Sequence, residues 1–333
     1  MTGAAGYIGS NLANLLNSLN YKTILVDNFS TGKKLVIKKL LKKKTRNIIF
    51  EKIDLIDKSS LKILFKKYKI YLVIHLASLK EITESIKFPK KYKKNNYYGT
   101  LNLINEMKKN KIDKFIYSST AAVYKSSKKK VNEKSKIKVT NPYAQSKLLV
   151  EKYLNKFHKR NKSWSIICLR YFNPIGTDTN SEFGEYNFLK MNNLVSEISK
   201  VYLSKKKNLI INGNNLMTND GTCIRDFIDI RDLCLGHIKA INFVNEKKVF
   251  KIINLGSGKG TTILNLVKIF NSFSKNKIKY SYGQNRNGDI EISLADISLA
   301  KKLLKWKPNY KLKDSCVNQL NWLEKYYINK KNS

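Results

Sequence analysis

The stretch that most limits how this chain can fold is its opening, "MTGAAGYIGSN", where Gly3, Gly6 and Gly9 recur every third residue. Glycines at that spacing permit a tight turn, let backbone approach phosphate oxygens closely, and let the next helix pack tightly. A loop of this kind ordinarily follows a buried β-strand, which aims the N-terminus of the following helix at a pyrophosphate. Here Met1 stands where the last residue of that strand belongs. The reading is therefore of a doubly wound parallel sheet lacking its first, central strand, with the backbone partners and apolar faces of that strand left unfilled. We expect a misassigned start codon rather than a deletion, and upstream in-frame sequence that reads as a short Val/Ile/Leu strand.

Beyond the loop the first half of the chain alternates. Apolar runs that read as buried strands are "KTILVD" ending at Asp27, "NIIFEKID" ending at Asp54, "YLVIHLAS" ending at Ser78, "KFIYSST" ending at Thr120 and "SIICLRYFN" ending at Asn173. Between them lie helix-length stretches at 10–19, 58–68, 89–109 and 142–160. That succession is the rhythm of an α/β fold with a parallel sheet. After about residue 174 it loosens into shorter strands, at 208–213 and 249–258, and helical patterns at 188–204, 230–246, 261–274 and 314–329. The expected organisation is a Rossmann-type domain over 1–174 and a smaller α+β substrate-binding domain over 175–333, with some segments returning to the first.

Ligands of such sheets lie beyond the carboxyl ends of the strands, where Asp54, Leu76, Ala77, Ser118 and Tyr171 all fall. Asp27 ends the strand after the glycine loop, 21 residues past Gly6. A carboxylate there accepts from an adenosine ribose 2'-hydroxyl and repels a 2'-phosphate, so NAD is expected over NADP.

One compositional feature argues for a different class: 65 Lys plus Arg against 24 Asp plus Glu give a net charge of +41. Such an excess favours an anionic partner, whether nucleic acid, membrane surface or phosphorylated substrate. Its distribution favours a solvated surface bias, because the lysines fall in short scattered runs, 42–44, 128–130 and 205–207, amid many asparagines. We expect no specific nucleic-acid partner, and keep a non-catalytic basic nucleotide- or nucleic-acid-binding protein as the alternative of another class. No apolar run reaches the ~20 residues that span a bilayer, and the N-terminus lacks a basic-then-apolar signal pattern, which points to the cytoplasm and no membrane. Cys168, Cys223, Cys234 and Cys316 are widely spaced with no CxxC pair, and the chain has three histidines, so neither a disulfide framework nor a metal site is expected.

The chemistry is carried by "NPYAQSK", which sets Tyr143 and Lys147 four apart after a proline suited to a helix start, so both share one helix face. A free tyrosine, with a pKa near ~10, is a poor base at neutral pH. A nearby ammonium and the positive ring of an oxidised nicotinamide both favour the phenolate, which can then take a proton from a substrate hydroxyl. Thr120, at a strand end, is placed to hydrogen-bond the same hydroxyl.

The ordered set of Gly3, Gly6, Gly9, Asp27, Thr120, Tyr143 and Lys147 resembles the extended short-chain dehydrogenase/reductases, and within them the UDP-glucose (UDP-galactose) 4-epimerases. "GYIGSN", "VDNFSTG", "HLASLK", "NPYAQSKLLVE", "RYFNPIGT", "DGTCIRDFIDIRDL", "NLGSGKG" and "RNGDIEISLAD" stand in the order seen in that family, over essentially the whole chain. The resemblance implies an isomerase with tightly held NAD that inverts C4' of a UDP-hexose through a transient 4-keto sugar, working as a homodimer. Tyr143 would exchange the 4'-hydroxyl proton, Lys147 would hold the nicotinamide ribose and tune Tyr143, and Thr120 would orient the hydroxyl. Cofactor contacts carried over are Gly3, Gly6, Tyr7, Ile8 and Gly9 in the loop; Asp27, Asn28, Thr31 and Gly32 on the adenosine side; Asp54 and Leu55 at adenine. Leu76, Ala77, Lys80, Asn96, Ser118, Tyr171 and Phe172 complete them. On the substrate side the resemblance implies Thr120, Asn173, Asn193, Leu194, Arg225, Arg286, Asp289 and Ser293, the two arginines gripping diphosphate oxygens. Another NAD-dependent nucleotide-sugar epimerase, such as one acting on UDP-glucuronate, is the alternative within the class.

Three departures from the family pattern stand out. Ser78 replaces a usual Gly, and Tyr98 a frequent Asn, near the expected pyrophosphate. Ser293 occupies the position beside the hexose C2 where a bulky Tyr restricts the pocket to glucose and galactose. A small residue leaves room for an N-acetyl group, so activity on UDP-GlcNAc/UDP-GalNAc is expected as well. After Thr120 stand Ala121 and Ala122, where related dehydratases carry acids that eliminate water.

Overall fold

The computed structural model describes residues 1–43, 47–285 and 291–328. The first third of the chain forms α1 (Tyr7–Ser18), β1 (Thr23–Asp27), α2 (Lys34–Leu41), β2 (Ile48–Lys52), α3 (Lys58–Lys67), β3 (Val73–His75), α4 (Ile82–Lys87), α5 (Pro89–Tyr92) and α6 (Gly99–Lys109). Then come β4 (Lys114–Thr120), α7 (Pro142–Arg160), β5 (Ser165–Tyr171), β6 (Asn173–Ile175), α8 (Leu194–Tyr202), β7 (Leu209–Asn212) and β8 (Ile224–Asp229). The last third holds α9 (Ile230–Glu246), β9 (Phe250–Leu255), β10 (Gly260–Thr262), α10 (Ile263–Phe273), β11 (Tyr280–Gly283), β12 (Ile292–Ser293), α11 (Ser298–Leu304) and α12 (Leu312–Leu323). The chain groups into two units, the first made of Met1–Val123, Val139–Arg170 and Gly236–Ile253, the second of Tyr124–Lys138, Tyr171–Leu235 and the chain from Asn254 onward.

In the first unit β1, β3, β4 and β5 are the largely buried apolar runs of a sheet covered by helices, whereas β2, expected as a buried strand, has no fully buried residue. β4 and β5 are buried at every residue. β1 pairs parallel with β2, and β3, β4, β5 and β9 follow one another in a second ladder that begins with a parallel β3–β4 pair. No strand element precedes the glycine loop among the described residues, yet the central position is partly filled. Thr2 bridges Val26 and His75 in parallel. Its N–H donates to the Ile74 carbonyl at 3.0 Å, its own carbonyl accepts from Leu76 N–H at 3.2 Å, and Val26 N–H donates to the Met1 carbonyl at 2.8 Å. Two residues thus satisfy the backbone groups at the carboxyl ends of β1 and β3, so the expectation of wholly unfilled partners is corrected there. Leu61, Leu64 and Phe65 of α3, Leu103, Ile104 and Met107 of α6, and Val150 and Leu154 of α7 form one core with Phe115, Tyr117, Ile166 and Cys168 of the sheet.

Local signals fix the helix starts. Asp57 caps α3 through Ser59 and Ser60 N–H at 3.0 and 3.1 Å. Asn141 caps α7 through Ala144 N–H at 2.9 Å, with Pro142 in the first turn. The sequence predicts one helix over 89–109; the structure instead interposes a π-helical stretch, Lys93–Tyr98, between α5 and α6. The widened turns accommodate Asn96, a buried polar side chain turned inward.

The second unit is built around β8, which is flanked by β10 (antiparallel) and β12 (parallel) and also pairs with β6 (parallel). A separate parallel pair joins β7 and β11. Buried Asp226 on β8 accepts from Ser257 N–H and Oγ (2.6 and 2.7 Å), Gly258 N–H (2.9 Å) and Ala295 N–H (3.1 Å). Those bonds tie the "NLGSG" turn and the segment after β12 to one strand. Among the described residues no helix is long and apolar enough to cross a membrane.

Candidate functional site

The glycine loop is shaped by close approaches that no side chain would permit. Gly3 has φ of +71°, and a Cβ there would lie 2.5 Å from Ala77 N and 2.7 Å from the Leu76 carbonyl carbon. A Cβ on Gly9 would lie 2.0 Å from the Gly3 carbonyl oxygen, and one on Gly32 2.6 Å from Ala5 Cβ. Gly6 differs: its φ of −81° suits any residue, and the nearest atom to its Cβ is 3.4 Å away. Its side is therefore left open by the protein itself. Gly6 precedes Tyr7 and Ile8 of α1 with no capping side chain, so the positive end of the helix is presented where an anion would sit. A cradle with one open glycine at a helix start fits a dinucleotide pyrophosphate.

Where the sequence leads us to expect adenosine, Asp27 accepts from Ala5 N–H at 3.0 Å and Phe29 N–H at 2.8 Å. Burial nevertheless pushes this carboxyl above its ordinary value. The lone pairs not taken by backbone remain for a ribose diol. Asn28 donates to Asp54 at 3.0 Å, Asn102 donates to the Leu55 carbonyl at 3.0 Å, and Leu55 packs on Gly99. Thr31 is exposed beside half-buried Gly32. These residues join in one patch at the ends of β1 and β2.

A buried hydrogen-bond chain that the sequence reading missed links the loop to α7. The Thr100 hydroxyl donates to the Asn96 carbonyl at 2.6 Å, so it must accept from His75 Nε2–H at 2.8 Å. Nδ1 is then the acceptor, and Thr2 Oγ1 donates to it at 2.7 Å while receiving Ala77 N–H at 3.3 Å. His75 is accordingly neutral, its pKa pushed down to about 3 first by burial and then by the Lys147 ammonium. Asn96 accepts from Leu79 N–H at 2.9 Å and donates to the Leu79 carbonyl at 3.0 Å and to Ser146 Oγ at 2.9 Å. Ser146 in turn donates to the Tyr143 carbonyl at 2.7 Å. Each residue alone is an ordinary polar side chain; only the tertiary fold aligns them.

Thr120 closes β4 and Tyr143 opens α7, half-buried. Burial pushes the Tyr143 phenol above its ordinary value; the Thr120 hydroxyl and the Lys80 ammonium pull it down, and Glu81 pushes it up. Lys80 also lies 6.0 Å from the Tyr7 ring centre. Lys147 is buried, its Nζ donating to the Ser118 carbonyl at 2.8 Å and Oγ at 3.3 Å, with the Tyr117 ring centre 5.0 Å away. Burial lowers its pKa to about 7, against the upward pull of Glu151. Burial thus outweighs the positive charge of Lys80 near Tyr143.

The Lys147 shift carries a stability prediction. Its folded-state value lies below the ordinary 10.5, so the unfolded chain binds more protons between about pH 7 and 10.5 and folding strengthens as pH rises through that window. Lys147→Met in the dinucleotide-free protein should gain on the parent as pH falls from 10 to 7. Urea denaturation at several pH values checks this; a parent-minus-variant difference that is flat with pH would contradict it.

In the second unit, Asn173 on β6 lies opposite Phe227 and donates to the Asp226 carbonyl at 3.0 Å. Arg225 lies opposite Ser293 in the β8–β12 register and donates to the Ile224 and Glu291 carbonyls at 3.0 and 3.3 Å. Asn193 caps α8 through Ser196 N–H at 3.0 Å and donates to Glu185 at 2.9 Å, with half-buried Leu194 next to it. Asn173, Arg225 and Ser293 therefore share one sheet, whereas Asn193 and Leu194 sit at a helix start. Tyr171 and Phe172 are buried. Arg286 and Asp289 lie outside the described residues. Among the described residues no group of His, Cys, Asp and Glu is arranged to hold a metal ion.

Residues 1–256 match the NAD dependent epimerase/dehydratase family. UDP-glucose 4-epimerase 2 of Oryza sativa subsp. japonica is 37% identical over 98% of this chain and 81% of its own. The crystal structure of UDP-glucose 4-epimerase from Bifidobacterium longum, in complex with NAD+ and UDP, is 33% identical with a TM-score of 0.92, over 98% of this chain and 97% of that one. The UDP-Glc/GlcNAc 4-epimerase of Campylobacter jejuni is 31% identical with a TM-score of 0.85, over 97% and 98% of the two chains.

Proposed function

The chain belongs to the NAD dependent epimerase/dehydratase family, and from that premise we propose that it is a UDP-glucose 4-epimerase, interconverting UDP-hexoses that differ at C4'. One observation carries the reading. Thr120, Tyr143 and Lys147 converge at the carboxyl end of β4, in the same unit as the open glycine cradle.

NAD held by that cradle would supply reversible two-electron oxidation of the C4' carbinol, with no net redox change over a turnover. The chain's own residues move and place the proton. Tyr143 Oη takes it from the 4'-hydroxyl and gives it back, and Thr120 Oγ1 holds that hydroxyl in reach. Lys147 Nζ is anchored on Ser118 with bonding capacity left for a ribose hydroxyl. Gly3, Gly6, Tyr7, Ile8 and Gly9 line the pyrophosphate, and Asp27, Asn28, Thr31, Gly32, Asp54 and Leu55 the adenosine. Lys80 and Asn96 serve the pyrophosphate or ribose, Asn96 acting through the Leu79 backbone to which its buried amide is bonded, and Leu76, Ala77, Ser118, Tyr171 and Phe172 complete the cofactor contacts. Asn173, Asn193, Leu194, Arg225, Arg286, Asp289 and Ser293 serve the UDP-sugar. The first unit is mainly the cofactor domain, and the second, which also carries Tyr171 and Phe172, mainly the substrate domain. A cytoplasmic homodimer completes the proposal.

Incubation of the purified protein with UDP-Gal and with UDP-GalNAc, reading the configuration at C4' of the product, tests it. Both pairs should interconvert, because Ser293 is small and half-buried on β12. Ser293→Tyr should lower turnover of UDP-GalNAc by about 100-fold while UDP-Gal changes only a few-fold, the cost falling on the larger C2 substituent. Turnover of neither pair would refute the function; an unaltered preference in Ser293→Tyr would refute the specificity role.

A further inference from the structure

α7 buries two charges, Lys147 and, one turn on, Glu151, among Ala144, Ser146, Leu148, Val150 and Leu154. Adjacent residues of β4 bind them in parallel. Ser118 receives the Lys147 ammonium, while the Ser119 hydroxyl donates to Glu151. From β5, Arg170 forks onto the same carboxylate, Nε to Oε1 at 2.9 Å and NH2 to Oε2 at 2.6 Å, with both side chains about 2% exposed. A buried ion pair adds little stability over a packed apolar pair of similar volume, so stability alone accounts poorly for this one.

We propose that Glu151 is a positioning residue for the epimerase reaction: clamped by Arg170 and Ser119, its carboxylate keeps the Lys147 ammonium charged on Ser118 and so sets the acidity of Tyr143. The inference rests on the epimerase reading for its chemistry. Glu151 is one helical turn from Lys147 and two, roughly 12 Å along the axis, from Tyr143. Its field therefore acts on the lysine before it acts on the phenol. The other titratable groups nearby do not replace it. His75 on β3 is neutral, burial keeps the Cys168 thiol of β5 protonated, and Tyr117 of β4 presents its ring. Arg170 is spent on Glu151 itself, and Lys80 and Glu81, next to α4, act on Tyr143 with opposite signs.

The test uses the NAD-bearing protein and two variants, Glu151→Gln and the double variant Glu151→Gln/Arg170→Gln, which removes the ion pair whole and leaves no unpaired buried guanidinium. In each folded variant the acid limb of the kcat–pH profile should move about one unit alkaline, a ~10-fold loss of rate on that limb. Glu151→Asp should restore the parent profile. A loss of rate that is uniform in pH, or an unchanged profile, would overturn the proposal, and so would failure of both Gln variants to fold, which would make the pair purely structural. The Tyr143 phenolate, read by ultraviolet difference absorbance against Tyr143→Phe, should show the same shift. That reading does not depend on turnover, so a parent protein that epimerises no UDP-sugar refutes the function without hiding the result for Glu151.

Discussion

Tyr143→Phe should yield a folded, NAD-bearing protein whose UDP-Gal to UDP-Glc turnover is lower by about 10³-fold. The substitution removes one oxygen and its bond to the Thr120 hydroxyl but no packing surface, because the other bonds that place this residue run through its backbone. Ser146 donates to the Tyr143 carbonyl, and Asn141 caps the helix through Ala144. The thermal midpoint should therefore stay close to that of the parent. What disappears is the group proposed to move the 4'-hydroxyl proton, a loss that Thr120 cannot make good, since a hydroxyl of ordinary acidity has no stable anion at neutral pH. In the parent, burial raises the phenol, and bound oxidised nicotinamide opposes it, so activity should rise with pH until the phenolate is populated. A Tyr143→Phe protein that kept parental turnover would show that the proton travels through another group.

Much of this arrangement is legible in the sequence, for a physical reason. Strands buried on both faces must be apolar along their length, so "KTILVD", "KFIYSST" and "SIICLRYFN" announce β1, β4 and β5. α7 starts where Asn141 and Pro142 say it should. β8 is hidden because Arg225 and Asp226 interrupt the apolar pattern, and Asp226 is tolerated only through partners more than 30 residues away. β6 is masked by Pro174, and α2 by lysines that blend into the surface bias. The fold class follows from local pattern. The supports of the site, Glu151 with Arg170 and His75 with Thr2 and Thr100, do not, because they depend on which distant groups meet inside the core. The presence of a buried charge is readable in sequence only once its partner is known.

The glycine loop offers the other large effect, and its three glycines should fail in different ways. In Gly9→Ala the new Cβ meets the Gly3 carbonyl oxygen at 2.0 Å and Ala4 Cα at 2.9 Å, both backbone atoms that cannot swing aside. Relief requires the loop to lift off α1, at a cost of about 3 kcal/mol or more from overpacking and loop strain together. Gly3→Ala adds a positive φ to a 2.5 Å clash with Ala77 N and should be at least as damaging. Gly6→Ala meets nothing closer than 3.4 Å and keeps an ordinary φ of −81°. Its dinucleotide-free stability should fall within about 1 kcal/mol of the parent. Yet its methyl group would enter the space where backbone must approach the pyrophosphate, and NAD affinity should drop by 10-fold or more, near 1.4 kcal/mol. Urea denaturation alongside titration of NAD into the stripped protein separates the two effects. A Gly6→Ala protein that bound NAD as tightly as the parent would move the phosphates off this loop, whereas a Gly9→Ala protein of parental stability would mean that the loop and α1 are not packed as described.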